Sequence, residues 1–452
     1  MNANFLLSRA WRALGRRGIG AMAAALFALA LSGPAQAAPF AYITNFIGGV
    51  SVLDTASNTV VATVPVGSDP HGVAVTPDGA FVYITNRGSN TVSVIASASN
   101  TVVATVPVGN NPRGVAVTPD GAFVYVANGF SHTVSVIASA TNTVLATVPV
   151  GNFPTGVAVT PDGARVYVAN SGSGSVSVIR TANNTVDATV GVGINPSFPN
   201  GVAVTPDGAF VYVVNLFNHN VSVIRTADNM VVATVGVGNF PIGVAVTPDG
   251  AFVYVTNGNP PYGVSVIASA TNMLVTTVPV GGSPYGVAVT PDGAFVYVAQ
   301  QGNSSVSVIA SASNTVVATV PVGVGPAAFG RFIGPTFPFS GFFSPVDNPP
   351  TLNAMKAGAA VPVKFSLGGA RGLGVIAANF PQSKPVACPG GGVPVDVVEL
   401  TLTAGNSSLS YDVATDTYTY AWKTDKAWAG SCRELTVRLS DGSNHKSLFL
   451  FK

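Results

Sequence analysis

Few residues between positions 40 and 334 have side chains suited to acid–base, metal or nucleophilic chemistry. The three histidines there are His71, His132 and His219, and no two have the close spacing of paired metal ligands. Glutamate and lysine are absent from this stretch. It also contains no Gly-x-Ser-x-Gly nucleophile motif and no phosphate-binding glycine loop. We therefore expect no metal, no cofactor and no catalytic residue in this part of the chain.

Aspartate is the most frequent acid in the same stretch, but one recurring turn accounts for six of its ten copies. In the motif Thr-Pro-Asp-Gly-Ala, proline presets φ and glycine accepts a positive φ, as a tight turn requires. A unique catalytic site would not use the same acid six times, so we predict that these aspartates form turns. The motif begins at Thr76, Thr118, Thr160, Thr205, Thr247 and Thr290.

The turn belongs to a repeat of about 42 residues. Glycine, proline and asparagine separate the strand-forming runs of each copy, which are rich in valine and threonine. In one copy the four runs lie at 114–117, 122–128, 133–137 and 143–148. Four strands within a period of about 40–45 residues are typical of a β-propeller blade. A stacked β-solenoid is the alternative, although its coils are usually shorter.

The two ends of the repeat region are offset. The first copy begins at Phe40 inside a second strand, and the last copy ends in a fourth strand at Gly323. Residues 326–332 then align with the inner strand that the first copy lacks. We therefore predict an all-β fold with seven blades within residues 38–334. A clasp blade, to which both ends of this region contribute, would close the ring and hide the sheet edges.

Residues 40–334 resemble the YVTN-repeat β-propeller family, which is known from surface-layer and other cell-surface proteins. The resemblance rests on Tyr83-Ile84-Thr85-Asn86, on its counterpart at 254–257 and on the Gly-Val-Ala-Val-Thr-Pro-Asp-Gly segments. It implies the propeller fold and leaves the ligand open. Related propellers include lactone hydrolases and subunits of redox enzymes. A hydrolase would need acids or histidines at the channel, and a redox subunit would need haem or metal ligands.

The N-terminal residues 1–37 have the pattern of a signal peptide. Arg9, Arg12, Arg16 and Arg17 precede an apolar run at 19–31, and a small-x-small cleavage pattern ends at Ala37. A membrane anchor is the alternative, but the run is short for a bilayer span. We expect an exported protein that is periplasmic, secreted or at the cell surface, with no transmembrane span in the mature chain. The net charge of +2 gives no reason to expect nucleic-acid binding.

The C-terminal part is predicted to be a separate unit. A Phe/Pro-rich linker at 335–350 precedes strand-like runs within 351–452, which suit a small immunoglobulin-like β-sandwich. Both cysteines, Cys388 and Cys432, lie there, and an exported chain most often pairs such cysteines in a disulfide. The unit resembles the PxKF domain of secreted bacterial proteins through Pro362-Val363-Lys364-Phe365 and 420–424. The resemblance implies an extracellular accessory module.

Comparing the repeats with one another suggests which face of the propeller is functional. The loops joining strands 1–2 and 3–4 are nearly identical, and we call their side the constant face. The loops joining strands 2–3 and 4–1 vary, and we call their side the variable face. The residue after the proline that opens each inner strand also varies, and these residues are predicted to ring the channel mouth: His71, Arg113, Thr155, Asn200, Ile242 and Tyr285, with Ala327 in the clasp.

Further candidates lie in the variable loops, at Arg87, Phe130, His132, Phe217, His219 and Tyr262. Polar, aromatic and basic groups that converge on one concave surface are typical of a binding site. Our hypothesis is a non-catalytic binding or structural protein whose partner is a protein, a cell-surface component or a small molecule. The alternatives are a lactonase-like hydrolase and an accessory subunit of a periplasmic redox enzyme. The alternative explanation of the variation is that no function constrains the sequences of these loops.

Overall fold

The computed structural model of this chain describes residues 39–193, 197–335, 339, 341–367, 375–376, 381–388, 399–403, 409–439 and 444–452. The predicted signal peptide, residues 194–196 of one variable loop and parts of the PxKF-like motif set (368–369 and 441–442) lie outside the described residues. The regular elements described are strands, apart from one short 3-10 turn at Lys426–Trp428. Within the described residues, no helix has the length and apolar character needed to span a bilayer.

Seven four-stranded antiparallel sheets form the propeller blades, which confirms the predicted all-β, seven-bladed fold. Blade 1 contains β1 (Phe40–Ile47), β2 (Gly49–Asp54) and β3 (Thr59–Val64). Blades 2–7 each contain four consecutive strands, given from the inner to the outer one: β4–β7 (Pro70–Val75, Phe81–Asn86, Thr91–Ala96, Thr101–Pro107), β8–β11 (Pro112–Val117, Phe123–Asn128, Thr133–Ala138, Thr143–Pro149), β12–β15 (Pro154–Val159, Arg165–Asn170, Ser175–Arg180, Thr185–Gly191), β16–β19 (Pro199–Val204, Phe210–Asn215, Asn220–Arg225, Met230–Gly236), β20–β23 (Pro241–Val246, Phe252–Asn257, Gly263–Ala268, Met273–Pro279) and β24–β27 (Pro284–Val289, Phe295–Gln300, Ser305–Ala310, Thr315–Pro321).

The ring closes through the predicted clasp. The short strand β28 (Val324–Pro326) pairs antiparallel with β1 and completes blade 1. Beyond β28 the chain continues along the same edge, where the Tyr42 amide donates to the Phe332 carbonyl at 2.8 Å. On its other side the Val73 amide donates to the Phe329 carbonyl at 3.0 Å. The closing segment is therefore bonded to blade 1 and to blade 2.

The middle strands of each blade are buried on both faces because a neighbouring blade covers each face. In β9 and β10 this gives continuous buried runs, 124–128 and 134–137, instead of an alternation of buried and exposed residues. Tyr125, Val134 and Val136 pack in one cluster with Val166 and Val168 of the next blade. The outer strands carry exposed valines such as those in β7. The core is thus a ring of apolar layers between blades.

The C-terminal unit consists of two sheets around one core, as a β-sandwich requires. Phe342 and Val346 are buried in this core, although they lie in the segment predicted as a linker. Cys388 and Cys432 form the predicted disulfide, with Cα atoms 5.2 Å apart. The strands are β29 (Phe342–Phe343), β30 (Leu352–Met355), β31 (Ala360–Phe365), β32 (Gln382–Val386), β33 (Glu399–Leu400), β34 (Leu402–Thr403), β35 (Ser410–Asp412), β36 (Thr417–Lys423), β37 (Cys432–Arg438) and β38 (Asn444–Phe451).

Candidate functional site

The repeated aspartates of the constant face are used by the fold. In blade 4 the Thr160 hydroxyl donates to Asp162 Oδ1 at 2.5 Å, and the same oxygen accepts the Ala164 amide at 2.9 Å. The hydrogen bond from the threonine lowers the pKa of the Asp162 carboxyl. All six turns share this threonine–aspartate bond. The geometry therefore accounts for each aspartate as a turn residue.

Tyrosine–asparagine pairs join neighbouring blades at the constant face. The Tyr125 hydroxyl donates to Asn184 Oδ1 of the next blade at 2.8 Å, and burial raises the pKa of Tyr125 to about 12. Six tyrosines make this bond. The exception is Tyr42 of the clasp blade. Its equivalent acceptor in the next blade, Asn100 Oδ1, has no hydrogen-bond partner among the described residues. The constant face is thus held by repeated polar contacts.

The asparagine that ends each second strand is also structural. Asn128 Nδ2 donates to Ser135 Oγ of the adjacent strand at 2.9 Å, and both residues are buried. Equivalent bonds occur in the other blades, with Gln300 donating to Ser307 in the last one. The asparagine of the YVTN-like motif and the serine of Val-Ser-Val therefore form one internal contact through the amide nitrogen, and the buried Asn128 Oδ1 has no hydrogen-bond partner among the described residues.

Glycines allow the inner strands to approach one another closely, and this close approach narrows the channel. A Cβ on Gly156 would lie 2.2 Å from the Asn200 carbonyl oxygen of the next blade. The same close approach recurs at Gly72, Gly114, Gly201, Gly243 and Gly286. The cavity lined by these strands, Phe329 and Gly330 measures about 20 Å³. That volume holds about one water molecule, so the channel is closed to a substrate at this level.

The predicted channel-mouth residues do not all face the mouth. His71, Thr155, Ile242 and Ala327 are buried, whereas Arg113, Asn200 and Tyr285 remain partly exposed. Thr155 turns its hydroxyl inward, where Oγ1 lies 3.2–3.3 Å from the carbonyl oxygens of Ala169, Pro199 and Asn200 and donates its single hydrogen among them. Three of the seven positions therefore present side chains to a ligand.

A small aromatic group plugs the centre of the mouth. His71 Nε2 and Tyr285 Oη are 3.0 Å apart, and the ring centroids of His71 and Phe329 are 5.3 Å apart. His71 is only 2% exposed. Burial, with added repulsion from Arg87 and Arg113, holds the pKa of His71 well below its usual value. His71 is therefore neutral at physiological pH and sealed beneath its neighbours.

Arg113 is the principal cation of the mouth. Its Nε donates to Asn111 Oδ1 at 2.9 Å, and its guanidinium carbon lies 4.6 Å from the centroid of the Phe153 ring. Burial lowers the pKa of Arg113. The other mouth cation, Arg87, forms an ion pair with Asp69 at 2.8 Å. Among the described residues, no acidic side chain pairs with Arg113.

Three phenylalanines on the variable face have unusual backbone conformations. Phe153, Phe198 and Phe240 have φ values of 55°, 48° and 56°, in the left-handed region that bulky residues rarely adopt. Each precedes the proline that opens an inner strand. The equivalent residues of other blades, Asp69 and Asn111 among them, share the conformation but are of types that tolerate it.

Histidines hold two of these phenylalanines in place. His132 Nδ1 accepts the Phe153 amide at 3.0 Å, and His219 Nδ1 accepts the Phe240 amide at 3.1 Å. Both imidazoles are exposed, so each has a positioning role beside the phenylalanine. Asn90 of blade 2 makes the same bond, because its side-chain oxygen accepts the Asn111 amide before the first strand of blade 3.

The variable loops add exposed rings to these phenylalanines. Phe130 is 63% exposed and lies 5.5 Å from Phe153, between ring centroids. Phe217 is 45% exposed and packs between Phe198 and Phe240, with centroid distances of 4.6 and 5.2 Å. Tyr262 is 37% exposed in the blade 6 loop. The variable face therefore presents two groups of aromatic rings to solvent.

Sequence reasoning placed Phe153, Phe198 and Phe240 in variable loops but did not single them out. An alignment of the repeats would have identified these three phenylalanines, because the equivalent residues in other blades are Asp69, Asn111 and Ser283. A second overlooked residue is Arg331, which occupies the position where the six complete inner strands end in valine. Burial lowers the pKa of Arg331, although its side chain remains accessible to solvent.

One departure from the repeat lies on the constant face. Arg165 stands where the six other blades have phenylalanine, and its Nη1 donates to the Thr226 carbonyl at 2.6 Å. A cavity of about 130 Å³ borders it, lined also by Asp162 and Asp207. In the part of the chain that the structure describes, no three residues among His, Cys, Asp and Glu are grouped to hold a metal ion.

Comparison with known proteins supports the propeller fold. Residues 50–150 and 139–236 match the family model described as "Lactonase, 7-bladed beta-propeller", and together they span less than half of the chain. No curated protein matches the sequence.

Solved structures of low sequence identity share the fold. The chain is similar to a putative 6-phosphogluconolactonase from Bacteroides fragilis, with a TM-score of 0.57 and 18% identity over 66% of this chain and 98% of that one. It is also similar to hydrazine synthase from Kuenenia stuttgartiensis, with a TM-score of 0.55 and 24% identity over 63% of this chain and 99% of that one. At this identity the similarity establishes the fold alone.

Proposed function

We propose that this seven-bladed propeller is an exported, non-catalytic binding or structural protein. Its partner, a protein or a small molecule at the cell surface or in the periplasm, would occupy the variable face and channel mouth. The observation that carries the proposal is the set of Phe153, Phe198 and Phe240, three bulky residues held in a left-handed conformation beside exposed rings.

The fold does not need phenylalanine at these positions. Asp69, Asn111 and Ser283 occupy the same place in other blades with nearly the same φ. A residue with a Cβ loses about 1 kcal/mol or more in this conformation, and asparagine and aspartate lose less. Backbone strain of this kind concentrates at ligand-binding sites, where selection for function maintains it.

Export is part of the proposal. It is supported by the predicted signal peptide and by the disulfide between Cys388 and Cys432, because structural disulfides persist mainly in oxidising compartments. The resemblances to YVTN-repeat and PxKF proteins agree with a cell-surface or periplasmic location. In this interpretation the C-terminal sandwich is an accessory module.

A lactonase-like hydrolase is the second candidate because of the family match over 50–236. Two features of the channel weigh against it. The cavity of about 20 Å³ is too small for a sugar lactone, and His71 is sealed beneath Tyr285 and Phe329. An accessory role beside a redox enzyme is compatible with the likeness to hydrazine synthase, but that likeness concerns the fold.

The test compares capture by two triple variants with capture by the wild-type protein. Phe153→Asn/Phe198→Asn/Phe240→Asn alters the variable face, and Ser99→Ala/Thr141→Ala/Ser313→Ala alters exposed constant-face loops as the matched control. Each immobilised protein is incubated with envelope extract and culture medium of its source organism. We expect the variable-face triple alone to lose a partner that the wild-type protein retains.

Two results would contradict the proposal. One is equal capture by the variable-face triple and the wild-type protein. The other is hydrolysis of a lactone panel by purified protein, abolished by the same triple, which would favour the hydrolase.

A further inference from the structure

The ion-pairing pattern at the channel mouth leaves one cation without a counter-charge. Arg87 donates twice to Asp69, with Nε–Oδ2 and Nη2–Oδ1 distances of 3.0 and 2.8 Å. Asp69 also attracts Arg113 electrostatically, but its ion pair is formed with Arg87. His71 is neutral because it is buried beside Tyr285 and Phe329. Among the described residues of the mouth, Arg113 is therefore the cation that forms no ion pair.

The Arg113 guanidinium is held in a fixed orientation. Its Nε is anchored on Asn111 Oδ1 at 2.9 Å, and its guanidinium carbon lies over the Phe153 ring, 4.6 Å from the centroid. Among the described residues, Nη1 and Nη2 form no hydrogen bond, whereas Nε forms one. Two donors of a guanidinium in a fixed plane match the two oxygens of a carboxylate.

An apolar surface lies beside these donors. Phe153, which supports Arg113, also packs against Phe130, and Phe130 is mostly exposed. Tyr285, another residue of the mouth, is also partly exposed. A ligand that places a charged group on Arg113 can therefore bury an apolar body against the two phenylalanines.

We propose that this part of the variable face binds the carboxylate of a ligand whose body is aromatic or branched and apolar. The carboxylate would accept from Arg113 Nη1 and Nη2, and the body would pack on Phe153 and Phe130. A phosphate dianion fits less well, because the second cation, Arg87, is already neutralised by Asp69. The inference rests on the proposed function, since it assigns a ligand chemistry to the same face.

Two sources supply this chemistry: a free small acid, and the C-terminal carboxylate of a peptide that ends in an apolar residue. The experiment uses the mature chain and isothermal titration calorimetry. The probes are N-acetylphenylalanine, its neutral amide, acetate and inorganic phosphate. A hexapeptide ending in phenylalanine, with a free or an amidated C-terminus, distinguishes the two sources.

We expect N-acetylphenylalanine to bind about tenfold or more tightly than its amide, because a hydrogen-bonded charge is lost in the amide. Acetate and phosphate should bind more weakly than N-acetylphenylalanine. Arg113→Gln should remove the preference for the acid over the amide, and Arg113→Lys should retain part of it. Arg225→Gln, which alters an exposed ion pair with Asp228, is the control and should change nothing.

Equal binding of the acid and the amide to the wild-type protein would overturn the inference without any variant. So would an unchanged acid preference in Arg113→Gln. If partner capture depends on Phe153, Phe198 and Phe240 while the acid preference is absent, only the ligand class is wrong. If the phenylalanine triple also retains its partner, the proposed function itself fails.

Discussion

The two ends of the same seven blades differ in how the fold uses their side chains. At the constant face, the threonine–aspartate turns and the tyrosine–asparagine pairs satisfy one another, blade after blade. At the variable face, histidine side chains hold Phe153 and Phe240 in a conformation that costs free energy, and rings remain exposed. Repetition therefore identifies residues that stabilise the propeller, and departures from repetition identify candidates for binding.

The largest expected effect lies between the two faces, at the glycines that line the channel. Gly156→Ala should destabilise the propeller by about 3 kcal/mol, because its Cβ would lie 2.2 Å from a backbone carbonyl that cannot move independently. Chemical denaturation followed by circular dichroism measures the loss. The control is Gly191→Ala, where nothing lies within 4 Å of the added Cβ. Equal stability of the two variants would show that the inner strands are not in tight contact.

A smaller effect is expected at the constant face. Tyr125→Phe removes the hydroxyl that donates to Asn184 and should cost about 1 kcal/mol of the free energy of unfolding. Tyr42→Phe is the matched control, because the equivalent acceptor, Asn100 Oδ1, has no hydrogen-bond partner. Its loss should be close to zero in the same denaturation experiment. Similar losses at both sites would mean that tyrosine burial, and not the bond between blades, stabilises this face.

The propeller was predictable from sequence because each blade repeats the same pattern of strands and turns. The offset of Phe40 and Gly323 was sufficient to predict the clasp, and the number of identical turns was sufficient to assign the aspartates to the fold. The site was less predictable. Position in the repeat places Thr155 at the mouth, but its hydroxyl turns inward to backbone carbonyls. The isolation of Arg113 depends on a pairing between Arg87 and Asp69 that only the folded ring brings together.

The smallest expected effect is a gain in stability, and it tests the difference between the two faces most directly. Phe240→Asn should stabilise the propeller by roughly 0.5 kcal/mol, because asparagine tolerates a φ of 56° and the lost contact with the Phe217 ring offsets only part of the gain. Asn111 already occupies the equivalent position of blade 3 with the same φ. The amide that His219 accepts belongs to the backbone, so this bond remains.

Phe217→Asn is the control for that substitution. Phe217 is exposed and contacts two rings, but its backbone is not in the left-handed region, so its loss should destabilise slightly. Both variants should lose partner capture. A gain in stability together with a loss of binding at Phe240 would mean that the phenylalanine is kept for the ligand at the expense of the fold. A loss of stability at Phe240 would instead make this ring part of the structural framework, and the two faces would then differ only in sequence.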